Sequence, residues 1–148
     1  MKRAPAALAL VCALAATSAP ATPEIDYMLH CQGCHLADGS GVPDAVPSFA
    51  GVGRFLRTSR GREYLIRVPG SAQSPLSDAA LAALLDWLIA RFDPATAAKG
   101  FRPFDAAEVS KWRRPPLSEV AALRKSLLAE LEGSGGVSAP GADPSRRR

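Results

Sequence analysis

Cys31-Gln32-Gly33-Cys34-His35 is the stretch of this sequence in which residue types and spacing point to a definite chemistry. Two thiols separated by two residues can each add across one vinyl group of a haem, and the histidine that follows directly then sits beneath the iron as an axial ligand. The short interval keeps both sulfurs on one porphyrin edge while His35 projects inward. Two other chemistries use the same residue types. A redox disulfide between Cys31 and Cys34 would want a βαβ setting, which the sequence does not offer. A structural zinc would want four ligands, and the local supply is Cys31, Cys34, His35 and His30. On the haem reading, Cys31 and Cys34 attach one covalent haem c and His35 is its proximal metal ligand.

The chain around this motif has 148 residues, 47% of them hydrophobic and 22% charged, with a formal net charge of +4. A mean hydropathy of +0.02 fits one soluble domain with additions, and excludes a multi-span membrane protein or a wholly disordered chain. Three cysteines are too few for a disulfide scaffold, and the odd count calls for an explanation. The first 21 residues supply one. Lys2 and Arg3, an apolar run over 6–16 and the small residues Ala19-Pro20-Ala21 read as a cleaved secretory signal, too short for a membrane span, which needs about 18 apolar residues. Val11 before Cys12 argues against lipidation there, so Cys12 leaves with the signal and the mature chain begins near Thr22. Beyond it, residues 22–95 carry eight acids against six arginines, whereas 96–148 carry ten Lys and Arg against six acids. Residues 133–148 are rich in Gly, Ser and Pro and end Arg146-Arg147-Arg148, the composition of a disordered basic tail. An exported chain makes nucleic acid an improbable partner for it.

The elements that must position the motif are helical, since strand-like alternation is scarce. Thr22 as cap and Pro23 at the first position begin a short helix running into Cys31, with Ile25, Met28 and Leu29 on one face. Residues 62–68 form a second helical stretch. Ser77 caps a third over 78–92, in which Leu81, Leu84, Leu85, Leu88, Ile89 and Phe92 make a core-facing stripe. Residues 38–53, rich in Gly and Pro, form a long shaped loop. Further on, Asp105 and Glu108 suit a capping box that opens a short helix ended by Pro115-Pro116. A last helix over 117–131 places Val120, Leu123, Leu127 and Leu131 on one stripe. That stripe must be buried, and the first unit is the nearest surface.

With the motif and helices in place, residues 22–95 resemble a small class I cytochrome c, an all-α helical domain built around a covalent haem, followed by a helical extension over 96–132. The resemblance includes Val46-Pro47-Ser48-Phe49-Ala50-Gly51, similar to the family's segment after the haem site. There it implies that the Pro47 carbonyl orients His35 from behind. It implies that the first and third helices cross, Ile25, Met28 and Leu29 meeting Leu84, Leu85 and Leu88. A unit this small with 6% aromatics leans on its haem for core volume, so the apoprotein is expected to be poorly folded. Tyr64 and Trp87 read as core residues.

The departure from the family lies across the iron. Relatives place a methionine in the loop before the last helix, and residues 68–75 here contain none. Of the two methionines only Met28 outlasts signal removal, and it precedes Cys31 on the first helix. His30 abuts the motif and reads as a surface or haem-edge residue. Gln73 stands where the methionine would be expected, Lys99 and Lys111 are remoter options, and the iron could also stay open or hold water. Each option implies a lower reduction potential than a His/Met relative. Arg54, Arg57, Arg60, Arg62 and Arg67 could pair with haem carboxylates or dock a redox partner.

Two function classes follow. The first is a periplasmic electron carrier, not an enzyme, between a redox enzyme and the respiratory chain, with no membrane span after signal cleavage. The second is a haem protein whose open sixth site takes a small ligand, as a gas sensor or weak peroxidase. A missing spare histidine disfavours the peroxidase. An interaction subunit that tethers a cytochrome through its last helix is compatible with either.

Overall fold

A computed structural model describes residues 21–134. The expected signal over 1–21 falls outside them except for its last residue, and the expected tail lies outside them beyond residue 134. The described chain is all helical: α1 (Pro23–His30), a 3₁₀ turn (Val52–Arg57), α2 (Ser59–Arg67), α3 (Pro69–Ala72), α4 (Asp78–Phe92), α5 (Pro94–Lys99), α6 (Ala106–Trp112) and α7 (Val120–Ser134). Among the described residues the only β pairing is an isolated bridge between Val42 and Val46. No helix there is long and apolar enough to cross a membrane.

Local chemistry explains the starts. The side chains of Thr22, Thr58, Ser77, Asp93 and Asp105 each accept a backbone N–H in the first turn of α1, α2, α4, α5 and α6. Each satisfies a donor the helix cannot. The second helix begins before residue 62, because Thr58 binds Gly61 N–H at 3.0 Å and opens the turn early. The Asp105 cap forms as the sequence implies, with Glu108 N–H donating at 2.8 Å. Its return arm does not, because the Glu108 carboxylate faces Arg62 and Arg102.

Leu81, Leu84, Leu85, Leu88 and Ile89 of α4 are buried, as their spacing predicts. The helix that crosses them behaves differently. Ile25, Met28 and Leu29 are 46%, 59% and 69% exposed, so they do not make the expected crossing. Tyr27 makes it instead, its ring 5.4 Å from Trp87 and 5.3 Å from Phe92. An eight-residue helix buries one narrow face, and here it is the face of Tyr27, whose ring meets aromatic neighbours and whose hydroxyl finds carbonyl partners.

The segment after residue 95 joins the same core. Phe104, Val109, Leu127 and Leu131 are buried together with Tyr64, Ile66 and the α4 leucines. α6 packs on α4, and α7 on the 3₁₀ turn and α2.

Candidate haem site

Cys31 caps α1, and the chain turns tightly after it: Cys34 N–H and His35 N–H both donate to the Cys31 carbonyl, at 3.1 and 2.9 Å. This turn places two thiols and an imidazole within one loop. Cys31 and Cys34 are not joined to each other; Cys31 is half-buried and Cys34 exposed. Burial pushes the Cys31 thiol up to about 11, with the Asp26 carboxylate and Cys34 adding to the effect. A redox-active cysteine needs the opposite shift, so the environment does not suit disulfide exchange. Among the described residues no cluster of three His, Cys, Asp or Glu side chains could hold a metal ion, so His30 and the motif do not converge on a zinc site.

His35 is held from several sides. The Tyr27 hydroxyl lies 2.7 Å from the His35 carbonyl and 2.6 Å from that of Leu36, fixing the backbone on which the imidazole stands. The Phe49 ring stacks on the imidazole, centroids 4.0 Å apart and planes 24° from parallel. Phe49 is anchored by its own N–H to the Gly39 carbonyl at 2.9 Å. Gly39 has φ +76, and a Cβ there would come within 2.4 Å of the Phe92 ring, so only glycine fits this corner. At Gly41 a Cβ would collide with the Val46 carbonyl at 1.7 Å.

Burial lowers the His35 pKa, and the Pro47 backbone carbonyl pulls the other way. The imidazole is therefore neutral at neutral pH, the form that ligates a metal. Its Nδ1 is buried without a hydrogen-bond partner. The Pro47 carbonyl approaches the ring without reaching hydrogen-bond geometry, so its influence is the weaker of the two.

His35 and Pro47 face a cavity of about 130 Å³. Phe49, Val52, Phe55, Leu65 and Val68 give it apolar walls, and α7 closes it with Val120 and Arg124. Tyr64 adds a hydroxyl; burial raises its pKa, and the Arg124 guanidinium opposes that shift. Across Pro47, Ser48, Val120 and Arg124 the cavity adjoins an open groove of about 910 Å³ between the 41–48 loop and α7. An imidazole on an apolar cavity, with two thiols on the same turn, is the donor set a covalent haem requires.

The comparisons with known proteins agree with this donor set. The chain is 37% identical over 118 residues to cytochrome c-552 of Thermus thermophilus, covering 66% of this chain and 90% of the relative. A second cytochrome c-552, from a named strain of the same species, gives the same identity and is covered over 80% of its length. The chain belongs to the c-type cytochromes. No family model matches it. As a c-type cytochrome it carries covalently bound haem c.

The remaining candidates of the cytochrome divide between solvent and core. Gln73 is exposed, and it, Met28, Lys99 and Lys111 are absent from the lining of the His35 cavity. Lys111 instead lies over the Trp112 ring at 4.5 Å. Tyr64 is buried and Trp87 half-buried, both in the core.

The arginines of the run have different surroundings and partners. Arg62 is 6% exposed and cannot reach a partner protein. It pairs doubly with Glu108, donates to the carbonyls of Arg102 and Pro103, and covers the Phe104 ring at 3.9 Å. Arg60 binds Glu130 at 2.5 Å, and Arg67 binds Glu63 and the Pro115 carbonyl. Arg57 donates to the Leu131 carbonyl at 3.5 Å, and Arg54 to that of Gly51 at 2.8 Å. Four of the five thus tie the first unit to the extension. For Arg62 the physical reason is desolvation: once α6 packs beside α2, an arginine beneath it must find acceptors there.

Sequence reasoning missed Tyr27, Phe49, Arg113 and Arg124. Tyr27 and Cys31 share a helix face by their spacing of four, and Arg124 shares one with Val120 and Leu127, signals available in the sequence. Arg113 offered none. It is buried and donates to the carbonyls of Ala72, Ser74 and Leu76, to Ser74 Oγ and to Asp78, bracing the segment that contains Gln73.

Proposed function

We propose that this cytochrome is an exported electron carrier working between a periplasmic redox enzyme and the respiratory chain. Its single haem is joined as thioethers to Cys31 and Cys34, with His35 as proximal ligand and the Pro47 carbonyl and Phe49 ring orienting the imidazole. The bound haem supplies a one-electron ferric/ferrous couple. The observation that carries the reading is the turn at Cys31, which puts both thiols and a half-buried imidazole on one loop, the imidazole lining an apolar cavity. Residues 22–95 form the haem-bearing unit, and 96–132 are a helical extension that closes it. Arg124, which brings a cation from α7 to the cavity wall, would pair with a haem carboxylate.

Haem staining after denaturing electrophoresis tests the attachment. Wild-type protein matured with haem should stain, Cys31→Ala/Cys34→Ala should not, and staining of the double variant would refute the thioether assignment. His35→Ala should keep the stain and change the optical spectrum of the bound haem.

A second reading is favoured by one observation: Gln73, Lys99, Lys111 and Met28 all stand away from the cavity. The sixth position of the iron is then open to a small ligand. Carbon monoxide added to the reduced protein should shift its spectrum, and a spectrum indifferent to the gas would exclude an open site.

A further inference from the structure

Beside the haem cavity lies a second groove, of about 560 Å³, in which cations outnumber acids. Its lining includes Arg54, Arg57, Arg62, Lys99 and Arg102, with Asp93 as the acidic member. Asp93 is buried and its carboxylate is satisfied within the fold, accepting from Gly53 N–H at 2.8 Å and from the Thr96 hydroxyl at 3.0 Å. It therefore presents little charge to solvent. Arg62 and Arg102 share Glu108. Arg54 and Arg57 donate to backbone carbonyls, and no described carboxylate lies within ion-pair distance of Arg54, Arg57 or Lys99. Three cations with no acidic partner thus rim a groove whose apolar members, Leu56 and Phe101, are half-buried.

The groove shares Gly51 and Arg54 with the His35 cavity, so a molecule seated in it abuts the proposed haem pocket. Resting on the carrier reading above, we infer that this groove docks the redox partner, and that the partner presents acidic side chains around an apolar contact. Apolar residues ringed by charge are the anatomy of a transient protein interface, where complementary charge sets the encounter rate. Lys99 and Phe101 come from the extension, so the docking site is built jointly by the 3₁₀ turn and the segment after α4. This narrows the arginine run to Arg54 and Arg57 and adds Lys99.

Electron transfer from an acidic flavodoxin serves as the probe. One electron leaves the flavin hydroquinone, giving the semiquinone, and reduces ferric haem to ferrous. Arg57→Glu/Lys99→Glu should slow the second-order rate at low salt by about tenfold, within the range of electrostatic steering, and the difference should vanish at high salt. Lys111→Glu/Arg114→Glu makes the same charge change outside the groove and should slow it less than twofold. Equal slowing by the two pairs would show that net charge alone acts, and no slowing by the groove pair would show that nothing docks there; either overturns the proposal. The neutral pair Arg57→Gln/Lys99→Gln should give a smaller slowing in the same direction and guards against misfolding of the reversed pair. Binding of phosphatidylglycerol vesicles that requires Arg57 and Lys99, with an unchanged flavodoxin rate, would assign the groove to lipid and also overturn it. Reversible reduction by dithionite in every variant keeps failure of docking distinct from failure of the carrier reading.

Discussion

Arg62 of α2 and Glu108 of α6, 46 residues apart, form a doubly hydrogen-bonded ion pair, with Nε to Oε1 at 2.8 Å and Nη2 to Oε2 at 2.6 Å. Both side chains are nearly out of solvent, 7% and 12% exposed, so the pair joins α2 to α6 through the interior.

Removing one partner leaves the other charge buried alone. Glu108→Leu should destabilise the folded protein by about 3 kcal/mol, read from the midpoint and slope of denaturant unfolding. Arg62→Met/Glu108→Leu should recover most of that loss, because the uncompensated charge is gone. A double variant no better than the single one would mean that the pair itself stabilises the fold.

The same pair makes stability depend on pH. Hydrogen bonding to Arg62 holds the Glu108 carboxyl below its usual 4.5, so the unfolded chain takes up the proton first as pH falls. The contribution is complete above pH 4.5 and is lost as pH drops through the lowered folded value. Wild type should lose stability over that interval more steeply than Glu108→Gln, measured by thermal melts at stepped pH.

Tyr27 holds the haem turn through its hydroxyl and packs α1 through its ring. Tyr27→Phe keeps the ring and should cost about 1 kcal/mol in denaturant unfolding. Tyr27→Ala should cost about 4 kcal/mol, because a cavity opens against Trp87 and Phe92.

Gln73→Ala should leave the optical spectra of oxidised and reduced protein unchanged, since the side chain stands in solvent outside the cavity lining. Carbon monoxide should then bind wild type and variant alike. A change confined to the variant would return Gln73 to the iron.

Arg124 brings a positive charge from α7 to the cavity wall. Arg124→Gln should stabilise the ferric state by about 1 kcal/mol, lowering the reduction potential by about 40 mV in a spectroelectrochemical titration. Arg60→Gln, which loses an exposed bond to Glu130 of α7, should leave the potential in place.

Particular residues show how far the sequence could be read. α4 and α7 were legible because their leucines repeat with the helical period, and the caps at Thr22, Ser77 and Asp105 because a cap acts within four residues. α5 was overlooked, although Asp93-Pro94 carries the cap and first-position proline that open it. The face of α1 was misjudged. Its aliphatic stripe and Tyr27 both suit burial, and only the aromatic surface of Trp87 and Phe92 across the interface decides between them.

The sequence by itself determined what is local: two thiols and an imidazole on one turn, and the helices on either side. Tertiary structure decided which groups meet across the chain. It put Phe49 against His35, drew Arg62 into the interior with Glu108, set Arg124 on the cavity wall and left Gln73 in solvent. The motif's chemistry follows from bonds a few residues long, whereas those partnerships depend on which surfaces are desolvated when distant segments pack.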